Sequence, residues 1–114
     1  MMAKDDYYVI VYQILSYLYK CLKEGEKVDG NAISADGTLF AINERYWEYI
    51  MVNMHAQGFI RGLSIKKSPN GVYISRLNEC EITPDGIDYL CDNSRIKRAY
   101  EFAKDALNIL PLIP

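Results

Sequence analysis

One histidine and three cysteines are the only imidazole and thiol groups of this 114-residue chain. Cys21, Cys80 and Cys91 form no CxxC pair, whereas structural zinc sites take their ligands in closely spaced pairs. An odd number of scattered thiols is expected of reduced cytoplasmic cysteines and not of a secreted disulfide framework. Long apolar runs are missing too. The longest, from Tyr7 to Tyr19, is interrupted by Gln13 and Ser16 and falls short of the ~20 residues of a membrane span. The opening Met1-Met2-Ala3-Lys4-Asp5-Asp6 turns acidic where a secretion signal is basic and then apolar, so a cytoplasmic protein with no membrane partner is expected. Gly25, Gly30 and Gly37 stand outside any GxxxxGK context, so no phosphate-cradling loop is expected. An excess of positive charge is absent as well: thirteen Lys and Arg face fifteen Asp and Glu, a net charge of -2. No repeat, low-complexity tract or linker divides the sequence, so residues 1–114 read as one domain.

What the chain does have is hydrophobic content, half of its residues, and ten tyrosines. That suffices for a core without disulfide or metal staples. Asp5 or Asp6 is placed to cap a first helix that runs to Glu24, where Gly25 stops it. Val11, Ile14, Leu15, Leu18 and Leu22 form its stripe, flanked by Tyr8, Tyr12 and Tyr19 on one side and Ile10, Tyr17 and Cys21 on the other. The apolar arc covers roughly 220° of the helical wheel, about twice that of an ordinary surface helix. Val9, Gln13, Ser16, Lys20 and Lys23 are left for water, and two sides of the helix require a cover.

Residues 26–41 are rich in turn formers and have room for only a short helix. Asn43 then caps a helix to Gln57, with Ile42 before it as a staple onto Trp47; Trp47, Ile50, Met51 and Met54 recur at helical spacing, and Gly58 ends the run. Phe59–Lys67 reads as a strand, Ser68-Pro69-Asn70-Gly71 as a tight turn and Val72-Tyr73-Ile74 as the start of the return strand. Thr83 caps a helix that begins at Pro84 and reaches about Cys91. Ser94 caps a last helix to about Leu110, ahead of Pro111, with a seam of Ile96, Ala99, Ala103, Ala106 and Leu110.

This element order, helices around a β-hairpin followed by two more helices, is that of an α+β, mostly helical winged helix-turn-helix domain. The hairpin is the wing, and the helix of residues 43–57 takes the recognition position. The run Phe59-Ile60-Arg61-Gly62, and above all Ile82-Thr83-Pro84-Asp85-Gly86-Ile87-Asp88-Tyr89-Leu90-Cys91-Asp92-Asn93-Ser94, resembles the YjcQ family of small bacterial and prophage proteins. The resemblance runs from the first helix to about Ala103. It implies a winged-helix fold and a role in DNA binding, and it brings no catalytic residues.

The residues speak to DNA in two places. From Phe59 to Arg76 the chain carries Arg61, Lys66, Lys67 and Arg76 and no acid, so this stretch is +4 while the remainder, in a chain of -2, is -6. Cations on a protruding hairpin can approach phosphates; equally, they can serve only to keep an edge strand soluble. On the face of the recognition helix away from Trp47, Arg45 and Asn53 have the chemistry for guanine and adenine edges, and Tyr49 for a phosphate or a thymine methyl. Glu44 and Glu48 on the same face oppose the DNA backbone. The expected interface is therefore Arg61, Lys66, Lys67, Arg76, Arg45, Tyr49 and Asn53, with duplex DNA as partner.

Enzymatic chemistry is not expected. His55 has no Ser or Cys placed beside it, and neither Asp85 with Asp88 nor Glu79 with Glu81 has a partner group. No cofactor, metal or small-molecule substrate is expected either. The alternative function is a protein-interaction module on the same scaffold, supported by the acidic remainder, the wide arc of the first helix, the alanine seam and the tail Leu110-Pro111-Leu112-Ile113-Pro114. A homodimer is expected if that arc finds no cover within one chain.

Overall fold

The computed structural model describes residues 3–106. The chain runs through α1 (Tyr7–Glu24), α2 (Glu44–Ala56), β1 (Ile60–Arg61), β2 (Ser64–Ser68), β3 (Gly71–Ser75), β4 (Glu81–Ile82), α3 (Pro84–Asp92) and α4 (Ser94–Ala106), with a 3-10 turn at Leu77–Glu79. It is an α+β arrangement, mostly helical, with two short antiparallel pairs.

The central element is α1. Its residues Val9, Ile10, Val11, Tyr12, Ile14, Leu15 and Leu18 are all buried, and α2, α3, α4 and β4 pack around it. The wide apolar arc is thus covered from within the chain, with Ile96 and Ala99 of α4 fully buried, and it no longer calls for a second copy. Of the rest of the α4 seam, the side chains of Ala103 and Ala106 and all of Leu110 lie outside the described residues, as does the 110–114 tail. Two expectations about the faces of α1 are corrected. Val9 and Gln13 are buried, not turned to water, while Leu22 in the predicted stripe is exposed. The reason is the segment between α1 and α2, which lays Leu39 against the Gln13 side: Gln13 Nε2 donates to the Leu39 carbonyl at 3.0 Å. A wheel drawn for one helix cannot anticipate a loop that covers its polar edge. Asp6 occupies the N-cap position, but its carboxylate accepts from the Ala3 N–H at 2.9 Å and only its backbone carbonyl serves the helix. The C-terminal stop is as expected, with Gly25 left-handed at φ 69°.

Residues 25–43 hold turns and no helix, yet they are tied down at both ends. The indole of Trp47 donates to the Ile33 carbonyl at 2.8 Å, Tyr17 Oη accepts from the Asp29 N–H at 2.9 Å, and Asn78 Oδ1 accepts from the Gly30 N–H at 2.6 Å. Ala32, Ile33 and Ala35 are buried beneath them. Asn43 then caps α2, accepting from the Tyr46 N–H at 2.8 Å, and Trp47, Ile50, Met51 and Met54 face the core as their spacing predicts.

The expected strand 59–67 is two strands. Ile60 pairs with Ile82 and Arg61 with Glu81, after which the chain turns at Gly62, φ 96°, and resumes as β2 against β3. Only glycine fits there: the backbone is left-handed, and a Cβ would overlap the Glu79 carbonyl oxygen. The apolar alternation slips by one residue across this point, from Ile60 to Leu63 and Ile65. Thr83 caps α3, accepting from the Gly86 N–H at 3.0 Å and donating to the Gly58 carbonyl, and the helix extends to Asp92. The cap of α4 is Asn93 and not Ser94. The Asn93 Oδ1 reaches the N–H groups of both Arg95 and Ile96, at 2.9 and 3.2 Å, which places Ser94 inside the first turn.

Candidate nucleic-acid interface

The β2–β3 hairpin closes over Pro69 and Asn70, with Ser68 Oγ accepting from the Asn70 N–H at 3.3 Å and donating to the Gly71 carbonyl at 3.2 Å. Its register pairs Ile65 with Ile74, Lys66 with Tyr73 and Lys67 with Val72. Side chains alternate along a strand, so Lys67 shares a face with the half-buried Ile65, Val72 and Ile74, while Lys66 lies on the opposite face beside Tyr73, which is 61 % exposed. Among the described residues neither lysine has an ion pair.

The other two predicted cations are engaged. Arg61 belongs to β1, not to the hairpin, and its Nε lies 2.8 Å from Glu81 Oε1. Arg76, the only described non-glycine residue with a left-handed backbone, φ 62°, grips Glu79 through Nε and Nη2 at 2.5 and 2.8 Å. That guanidinium holds the Glu79 carboxyl below its usual range, and the carboxylate raises Arg76 in return. Both acids lie just past the end of the acid-free stretch. The +4 of residues 59–76 is therefore two free charges and two that carry their own counterions.

On α2, Arg45, Tyr49 and Asn53 lie along one side at intervals of four residues, with Arg45 exposed and Tyr49 60 % exposed. Asn53 is turned onto its own helix, its Nδ2 donating to the Tyr49 carbonyl at 2.7 Å. Its Oδ1 and the second hydrogen on Nδ2 remain, and an adenine edge takes a donor and an acceptor together. Glu44 is exposed and Glu48 half-buried, as neighbours on that helix. The structure thus brings Tyr49 and Asn53 together, and it separates Arg61 and Arg76 from the free lysines by binding them.

A feature that the sequence reading missed lies beside Tyr49. Tyr7 and Tyr8 of α1, Tyr46, Tyr49 and Asn53 of α2, Gln57 at its end and Tyr89 of α3 line an open groove of about 420 Å³. The rings meet edge to face: Tyr7 with Tyr8 at 5.1 Å and Tyr7 with Tyr49 at 6.2 Å between centroids. Tyr89 is backed by Phe59, stacked at 4.3 Å. Tyr46 Oη donates to the Asp5 carbonyl at 2.7 Å, fixing α2 to the start of α1. At the other end, Arg95 of α4 donates to Tyr8 Oη at 3.1 Å with its guanidinium 5.5 Å over the ring.

Three phenols of this groove are held above the usual tyrosine range. Burial and then the neighbouring tyrosines push Tyr7 up to about 12; burial followed by the charges of Asp5 and Asp6 raises Tyr46, and burial also raises Tyr89. The signal for the groove was present on α2, where Tyr46, Tyr49, Asn53 and Gln57 follow at intervals of three, four and four. Its other walls come from residues 32 or more positions away and from no local pattern.

The residues lining the groove include no His, Cys, Asp, Glu or Lys. Cys80 is buried, its thiol pushed up to about 12 by burial and the adjacent Glu81, and Cys91 is raised by burial as well. Among the described residues no three of His, Cys, Asp and Glu converge on one point, and no helix is long and apolar enough to cross a membrane. Searches of the curated proteins and of the solved structures find no match. A family model described as "YjcQ protein" matches residues 12–109, from the second turn of α1 past the described end of α4. With the match spanning most of its length, the chain belongs to the YjcQ family.

Proposed function

We propose that the protein is a non-enzymatic, cytoplasmic DNA-binding protein on a winged-helix scaffold, of the kind that regulates transcription in prophages. Hairpin β2–β3 is its wing, and α2 takes the recognition position. The observation that carries this reading is the pair of free cations on the hairpin: Lys66 and Lys67 project on its two faces without an ion pair among the described residues, close after an α2 whose exposed side offers Arg45, Tyr49 and Asn53. A wing lying along a duplex with a lysine on each face can meet phosphates on both sides of a groove, and Arg45 can donate to a guanine edge. The anchored turns of residues 25–43 stand where a helix-turn-helix normally has its first helix, so the Trp47 to Ile33 hydrogen bond takes over the task of setting the angle of α2.

Electrophoretic mobility shift of a random-sequence duplex at low salt tests the reading. Binding that falls steeply as salt rises, and that is lost in the double variant Lys66→Glu, Lys67→Glu, is the expected result. No shift at low salt overturns it and assigns the fold to a protein-interaction module instead.

A further inference from the structure

We propose that the tyrosine groove is a stacking site for one unpaired base of a single-stranded nucleic acid. The inference rests on the nucleic-acid reading above but assigns a different form of the polymer to the groove, which shares Tyr49 and Asn53 with the exposed side of α2. Three properties of the groove point to that occupant. Its walls are neutral aromatic rings, and a base stacks on such rings whatever its identity, because every base has a π-face. Tyr49 keeps 60 % of its surface in water although it is among the largest side chains of α2, so its ring is available to a ligand. Its polar lining is made of carboxamides and not of charges: the Asn53 Oδ1 left over from the bond to Tyr49, and Gln57, offer acceptors and donors to a base edge.

The rim supplies the complement to a phosphate. Arg95 spends one nitrogen on Tyr8 and keeps the rest of its donors, and Arg98, one turn further on, shares that side of α4. No acid occurs between Asp92 and Glu101. Asp5 and Asp6 stand near Tyr46, so a strand is expected to enter with its phosphates toward the arginines of α4 and not toward the start of α1. The volume of about 420 Å³ lies in the range, roughly 300–1,000 Å³, of sites for planar small molecules. A base within a duplex is stacked and paired and cannot enter; a base in a single strand or a bulge can, at lower cost. A proline-rich peptide also lies on tyrosines, but it brings no phosphate for Arg95 to meet.

The experiment is fluorescence anisotropy with a short labelled oligothymidylate and, separately, a duplex of the same length. Wild type is expected to bind the single strand. Tyr49→Ala is expected to weaken that binding about tenfold, and Tyr49→Phe, which keeps the ring and loses the hydroxyl, by no more than about twofold. Tyr49 is exposed, so an unchanged thermal midpoint shows that each variant folds. Duplex binding that depends on Lys66 and Lys67, together with no binding of the single strand, overturns the base site and leaves the DNA-binding reading intact. Single-strand binding that ignores Tyr49→Ala, or a proline-rich peptide that binds where the oligothymidylate does not, likewise overturns it. A single strand that binds through Tyr49 while the duplex does not upholds the base site and removes the duplex reading.

Discussion

The β2–β3 hairpin and the tyrosine groove are opposite kinds of surface. The hairpin is contiguous in sequence, strongly charged on paper and held by its own cross-strand pairs; the groove is assembled from three helices, neutral in its lining and backed by the core. Contiguity makes the first conspicuous, yet acids just past residues 59–76 neutralise half the charge of that stretch and leave only the two lysines of the hairpin free. Dispersion hides the second, yet packing makes it the better-defined cavity. A run of like charges thus overstates an interface when the counterions come from the next few residues, and a dispersed set of neutral residues understates one.

The largest test of this contrast is at the joint between them. Gly62→Ala, which forces a left-handed side chain against the Glu79 carbonyl, is expected to cost more than about 3 kcal/mol in urea denaturation. A loss below about 1 kcal/mol would mean that the hairpin is joined to the body more loosely than the geometry requires.

Alkaline titration sharpens the contrast from the groove side. Tyr7 and Tyr12 move from 10.0 to about 12 on folding, and Cys80 from 9.0 to about 12. In each case the folded state resists ionisation, so the stability is intact below pH 9 and is lost progressively as the pH climbs through 9–12. The loss is expected as a thermal midpoint that falls steadily across that window. A midpoint that stays level to pH 11 would contradict the burial of these groups.

Exchanging Lys66 and Lys67 for glutamate is expected to weaken duplex binding at least about tenfold and to flatten its salt dependence. Tyr46→Phe removes the hydrogen bond to the Asp5 carbonyl at the mouth of the groove and should cost about 1 kcal/mol by thermal denaturation. The smallest effect is expected from Arg61→Gln with Arg76→Gln: each releases an acid as it removes a cation, so duplex affinity should change no more than about threefold. If that pair weakens binding as much as the lysine pair does, the ion pairs open on DNA and the distinction between free and bound cations fails.

Much of the fold was legible because it rests on local chemistry. Asn43, Thr83 and Pro84 announce helix starts, Gly25 a stop, and Trp47, Ile50, Met51 and Met54 a core face, and all of these hold. What was not legible depends on distant partners. Gln13 is buried where Leu39 of the 25–43 segment meets it, and strand 59–67 breaks at Gly62, where the Glu79 carbonyl leaves no room for a side chain. Asn93 takes the cap from Ser94 on a choice between two adjacent good cappers, which composition cannot rank. The same division governs the interface. Lys66 and Lys67 are found by inspection, whereas the tyrosine walls at 7, 8 and 89 become neighbours of Tyr49 only once α1 and α3 are packed.

The chain has a single tryptophan, and its indole nitrogen is spent on the carbonyl of Ile33. Trp47 is therefore an optical reporter built into the seam between α2 and the irregular segment ahead of it. Its emission is expected to shift to the red when that segment lifts away, while the helices still give their circular dichroism. Any ligand that reorients α2 through this contact would announce itself in the same colour change without a label.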